Sequence, residues 1–100
     1  MLAYVPDLMD RSRLAALGNS LEFVTSFEGF SEAGRGDIVI VDLGRPGALD
    51  AAGAAAARGA RVVGFASHVD DALMSAAKGA GIEAHPRSRF FNHATELLGA

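Results

Sequence analysis

Cysteine is absent from these 100 residues, which excludes disulfides, thiolate metal sites and cysteine nucleophiles. Lysine is almost absent: Lys78 stands alone against eight arginines. No apolar run approaches the roughly 20 residues of a membrane span. Met1-Leu2-Ala3 leads into a strand-like segment rather than the basic start of a leader, so the expectation is a soluble, cytoplasmic chain without a membrane partner. Positive charge is not in excess either. The formal net charge is −3, which speaks against a nucleic-acid partner. What is abundant is small: 20 alanines and 12 glycines, in a chain that is 50% hydrophobic. Such a length suits one domain over residues 1–100 with a core of its own.

The hydrophobic pattern changes period several times. Leu2 to Val5 is a short apolar run closed by Pro6. Met9 to Leu17 has helical spacing, with Met9, Leu14 and Leu17 apolar and Gly18 at its end. Glu22 to Phe27 reads as a strand. Asp37 to Asp42 is the clearest strand, and its unbroken Ile/Val run implies burial on both faces, as in a parallel sheet. Leu49 to Arg58 is an alanine-rich helix closed by Gly59, and Arg61 to Ala66 is the next strand. A helix opening at Val69 or Asp70 runs to Lys78, Ile82 to His85 is a short last strand, and Ser88 to Leu98 is a final helix with Ser88 as its N-cap. This alternation predicts an α/β fold with five parallel strands. About nine residues separate the second and third strands, fewer than the dozen or so of an ordinary crossover. The second helix is therefore expected to be truncated to a turn around Phe30 to Ala33.

Ligands of open parallel sheets bind beyond the carboxyl ends of the strands, which directs attention to Asp7, Asp42, Ser67, His68 and Arg87. Asp7 and Asp42, if their strands are neighbours, could share a Mg²⁺ ion. Asp42 could also accept a phosphoryl group, with Ser67 and Arg87 binding the phosphate. Each has a plainer role open to it. Asp42 would cap the Gly44-Arg45-Pro46-Gly47 turn, Asp7 would cap the first helix, Ser67 would cap the helix after it, and His68 would be a solvated loop residue. Asp10 reads as a first-turn acid favoured by the helix dipole. Arg87, Arg89, His85 and His93 form a modest basic rim, and the histidine spacing fits no metal pattern. Of Phe90 and Phe91, one is expected in the core and the other at an interface. Gly34-Arg35-Gly36 precedes a strand, where a dinucleotide fingerprint must follow one. No phosphate-binding loop of the Walker type, nucleophile elbow or supported Ser/His/Asp set is present, so a conventional enzyme is not expected.

Val41-Asp42-Leu43-Gly44-Arg45-Pro46-Gly47 resembles the phosphoacceptor segment of response-regulator receiver domains. Val62 to Asp70 is similar to that family's fourth strand and following loop, and Gly79-Ala80-Gly81-Ile82 to its turn into the fifth strand. The likeness runs along the whole chain and leaves no room in it for an output domain. It implies a flavodoxin-like, doubly wound sheet in the order 2-1-3-4-5. It also implies Asp42 as phosphoacceptor, Asp7 and Asp42 as Mg²⁺ ligands, and a homodimer or partner face on the last strand and its flanking helices. The departures are specific. The paired acids after the first strand read Pro6-Asp7, the hydroxyl position falls on Ala66 with Ser67 one residue late, and the switch aromatic is Ala84. The family's lysine is replaced by His85-Pro86-Arg87, where arginine is a planar fork and not a point charge; Lys78 lies in a helix and cannot substitute. The resemblance thus points to a stand-alone, atypical receiver-like module that binds a protein partner or itself, with either an Arg87–Asp42 pair or a water-filled gap expected there rather than a bound metal. The alternative is a working Mg²⁺-dependent phosphoacceptor of a two-component system. A small cofactor-binding flavodoxin-like domain is weaker, because the loops are short for wrapping a flavin.

Overall fold

The computed structural model describes residues 1–16, 20–67 and 69–99. Five parallel strands form one sheet in the order β2-β1-β3-β4-β5. They are β1 (Leu2–Tyr4), β2 (Glu22–Phe23), β3 (Ile38–Asp42), β4 (Arg61–Ala66) and β5 (Glu83–Pro86). Helices α1 (Leu8–Ala15), α2 (Ala48–Ala57), α3 (Asp71–Gly79), α4 (Arg87–Asn92) and α5 (Ala94–Leu98) flank it. This is the flavodoxin-like architecture. Alternation along the strands splits the core in two. Val39, Val41 and Val62 face α2 and α3 across the alanines Ala48, Ala52, Ala55 and Ala77. Ile40, Val63 and Phe65 face the other way, toward Leu14, Phe90, Ala94 and Leu98.

Gly64 shows how closely the first layer packs. A Cβ there would lie 2.5 Å from Leu43 Cδ1, so only glycine leaves room for the buried leucine. The β2–β3 connection carries a single 3-10 turn, Phe27–Phe30, in place of a helix. Arg58, just past α2, holds it there: its guanidinium donates to the carbonyls of Ala33 at 2.8 Å and Phe30 at 3.0 Å. Tyr4 and Phe27 pack with ring centroids 4.6 Å apart, closing the same side.

Several boundaries differ from the sequence reading. The second strand has only two residues, because the chain turns at Ser26 into the 3-10 segment that takes Phe27 out of the strand. The final helix begins at Arg87, directly after Pro86, and breaks at His93 (φ −123°) into α4 and α5. Ser88 is therefore inside the helix and caps nothing. Met9 is 78% exposed, whereas Asp10 takes the inward position beside Leu14 on the face of α1. Leu17 and Gly18, expected at the end of that helix, lie outside the described residues. No helix is long and apolar enough to cross a membrane among the described residues.

Candidate functional site

The carboxyl ends of β1, β3 and β4 deliver the singled-out residues to one end of the sheet. β1 lies between β2 and β3, and Tyr4 is in register with Val41. The segments leading to Asp7 and Asp42 therefore leave the sheet side by side. Asp7 caps α1: its Oδ1 accepts from the N–H groups of Met9 at 2.9 Å and Asp10 at 3.0 Å. Two orphan donors of the first helical turn are satisfied that way. Asp42, nearly buried, has both carboxylate oxygens engaged by its own turn. Oδ1 accepts from Gly44 N–H at 3.1 Å, and Oδ2 from Arg45 Nε at 3.2 Å. The turn-capping role open to Asp42 in the sequence is the one its hydrogen bonds describe.

Arg87 does not pair with Asp42. Its guanidinium donates to Oδ1 of Asp10, which is 1% exposed. Asp10 is the first-turn acid of α1 that the sequence suggested, and it is also buried. Its other oxygen, Oδ2, is buried without a hydrogen-bond partner among the described residues. The hydrogen bond to Asp10 raises the Arg87 pKa above the usual arginine value. Burial opposes that shift, and the negative fields of Asp10, Asp42 and Asp7 reinforce it. One guanidinium thus answers three carboxylates. It also lies over the Phe65 ring at 5.5 Å and the Phe91 ring at 5.2 Å, within cation–π range. Arg13 also lies over the Phe91 ring, at 4.2 Å. Phe90 is buried, and Phe91 is partly buried against the same core cluster.

Ser67 is exposed, and its hydroxyl accepts a long 3.5 Å bond from Val69 N–H. The cap of α3 is Asp70, which accepts from Leu73 N–H at 3.1 Å. Ser67 does not cap that helix. His68 lies outside the described residues. Asp7 and Asp42 are committed to backbone and arginine donors, a guanidinium already faces Asp10, and no group of three or more metal-ligating side chains comes together among the described residues. Comparison with protein-family models, with curated proteins and with solved structures finds no match.

Asp10 could have been found in the sequence. It precedes Leu14 by four residues, so the two share one face of α1. An acid on a core-facing position calls for a cationic partner. The identity of that partner was out of reach, because it lies 77 residues away.

Proposed function

We propose that the chain is a receiver-like regulatory module that works by binding a protein partner or a second copy of itself, and that it does not use phosphorylation of Asp42 as its signal. The observation that carries this reading is the Arg87–Asp10 pair. It places a permanent positive charge where a phosphoryl-transfer site needs an exchangeable metal and a mobile lysine ammonium. Arginine stays charged, and its fork packs beside two aromatic rings and pairs with one carboxylate, so it does not serve as a point charge in the way a lysine ammonium does. Asp42, with both oxygens in its own turn, has the environment of a structural cap and not of a nucleophile waiting for a donor.

The test is intact mass after incubation with acetyl phosphate and Mg²⁺. The expected result is an unmodified chain and a melting temperature indifferent to Mg²⁺. A stoichiometric phospho-adduct that disappears in Asp42→Asn would overturn the proposal and install the phosphoacceptor reading.

A further inference from the structure

At the far edge of the sheet, away from the three carboxylates, β5 pairs with β4 and with no other strand. Of the two edge strands it is the longer, four residues against two. Alternate residues of an edge strand direct their N–H and C=O groups outward, which makes a ready template for another strand. A surface depression of about 470 Å³ follows this edge. Its floor is the strand itself, Ile82 to Pro86, and its walls are Lys78 from α3 and Arg89 from α4.

The charge in this groove is opposite to that of the whole chain. Glu83 is the one acid lining it, and it is taken by Arg61 in a two-pronged pair at 2.7 and 3.0 Å. Lys78 and Arg89 are both exposed and have no carboxylate partner among the described residues. Two uncompensated cations therefore flank an open strand on a protein of net charge −3.

We infer that the open edge of β5, between Lys78 and Arg89, takes up an acidic, extended segment of a partner protein as a sixth strand. The inference rests on the reading of the chain as an interaction module and names the chemistry of its partner. Charged edges ordinarily guard against sheet-to-sheet aggregation, and here that accounts for the exclusion of a second copy. Two-fold pairing of β5 with itself would bring the Lys78 and Arg89 of both copies to one seam, where like charges repel. The same pair attracts a strand with carboxylates on the side chains flanking the new ladder. Main-chain hydrogen bonds would supply the docking, and the two cations would select for acid. Pro86 has no N–H to offer, so the added strand would be held chiefly along Glu83 to His85.

The experiment is a titration of the ¹⁵N-labelled full chain, followed by amide shifts and hydrogen exchange. The probe is a capped hexapeptide of alternating glutamate and valine. Matched peptides carry lysine for glutamate, or proline at alternate positions to remove the N–H groups. The expected result is shifts concentrated at Ile82 to His85 with slowed exchange of the outward-facing amides. Binding should weaken on the order of tenfold in Lys78→Glu/Arg89→Glu, two exposed changes that leave the melting temperature within a few degrees. No shift at β5 with millimolar glutamate peptide would overturn the inference, as would equal binding of the lysine or the proline peptide. Concentration-dependent protection of β5 without any peptide would assign the edge to a second copy and overturn it too. Each of these failures leaves the phosphorylation and Mg²⁺ measurements standing on their own.

Discussion

Asp42 and Asp10 each meet an arginine at the carboxyl end of the sheet, but one partner is three residues away and the other 77. The Asp42–Arg45 pair is local. It sits inside a turn that its own sequence already favours, and the arginine side chain is 42% exposed. The Asp10–Arg87 pair joins α1 to the start of α4 across the sheet, with the carboxylate buried and the guanidinium 45% exposed. In the local pair the arginine is open to water, and Asp42, with 12% of its side chain exposed, keeps the bond from Gly44 N–H when the arginine is removed. Water can stabilise only the arginine of the long-range pair. The difference teaches that the energetic weight of an ion pair here follows the burial of its less exposed member and not the residue types.

The largest effect is therefore expected from Arg87→Met, which strands the Asp10 carboxylate in the core. Breaking a fully buried pair costs about 3–5 kcal/mol. Since Arg87 is half exposed, about 2–3 kcal/mol is expected, or roughly 10–20 °C in melting temperature for a domain of this size. Asp10→Asn should cost only about 1 kcal/mol, because the freed guanidinium can turn to water and the amide still accepts a hydrogen bond. Adding Asp10→Leu to Arg87→Met should recover part of the loss. Thermal denaturation of the four proteins checks this. If the two single variants, Arg87→Met and Asp10→Asn, lose the same stability, the asymmetry is wrong.

Two glycines give a second contrast, between a tight and an ordinary contact across the fold. Gly64→Ala drives a methyl group to within 2.5 Å of Leu43, which is itself 2% exposed and cannot swing away. A loss of about 1–3 kcal/mol is expected. Gly53 is inside α2, and a Cβ there would meet Ala80 Cβ at an ordinary 3.6 Å. Gly53→Ala should be neutral or stabilising by up to about 1 kcal/mol. Urea denaturation midpoints of the two variants should move in opposite directions from the wild type. Both glycines look alike in the sequence, as small residues inside regular elements, and only Leu43 packing on β4 tells them apart.

Effects at the local pair should be smaller. Arg45→Met is expected to change stability by no more than about 0.5 kcal/mol. Asp42→Ala should cost about 1 kcal/mol, chiefly through the lost bond to Gly44 N–H. A loss above 2 kcal/mol in Arg45→Met, measured by urea denaturation, would remove the distinction between the two pairs.

What was legible in the sequence divides along the same line. The Ile/Val runs of β3 and β4, the cap before α1 and the shortened second crossover are written in neighbouring residues, and so is the Asp42 turn. The order of the strands needed the family resemblance, since alternation alone gives a parallel sheet without an order. The inward rotation of α1 was misread because Met9 is the more apolar residue. Asp10 takes the core position only because Arg87 arrives from α4 to meet it. The break at His93 was missed for a similar reason: Phe90 and Ala94 both pack into the core, and that docking is tertiary.

The smallest effect is expected from His85, whose environment mixes local and distant charges. Its Nε2 is buried without a hydrogen-bond partner. Burial lowers its pKa below the ordinary 6.5, Arg89 lowers it further, and so do Lys78 and Arg61, while Glu83 pulls it back up. The unfolded chain therefore takes up a proton at a higher pH than the folded one. The full stability is present above about pH 6.5 and declines as pH falls below it, until the folded state also protonates and the curve levels. Glu83, held below its ordinary value by Arg61, adds its own loss only nearer pH 4.5, so the two are separable. Melting temperatures of wild type and His85→Gln between pH 8 and pH 5 should diverge in slope below pH 6.5, with the variant flatter. Superimposable slopes would mean that the imidazole is as free to protonate in the folded chain as in the unfolded one, and that Arg89, Lys78 and Arg61 exert no net field on the strand edge they surround.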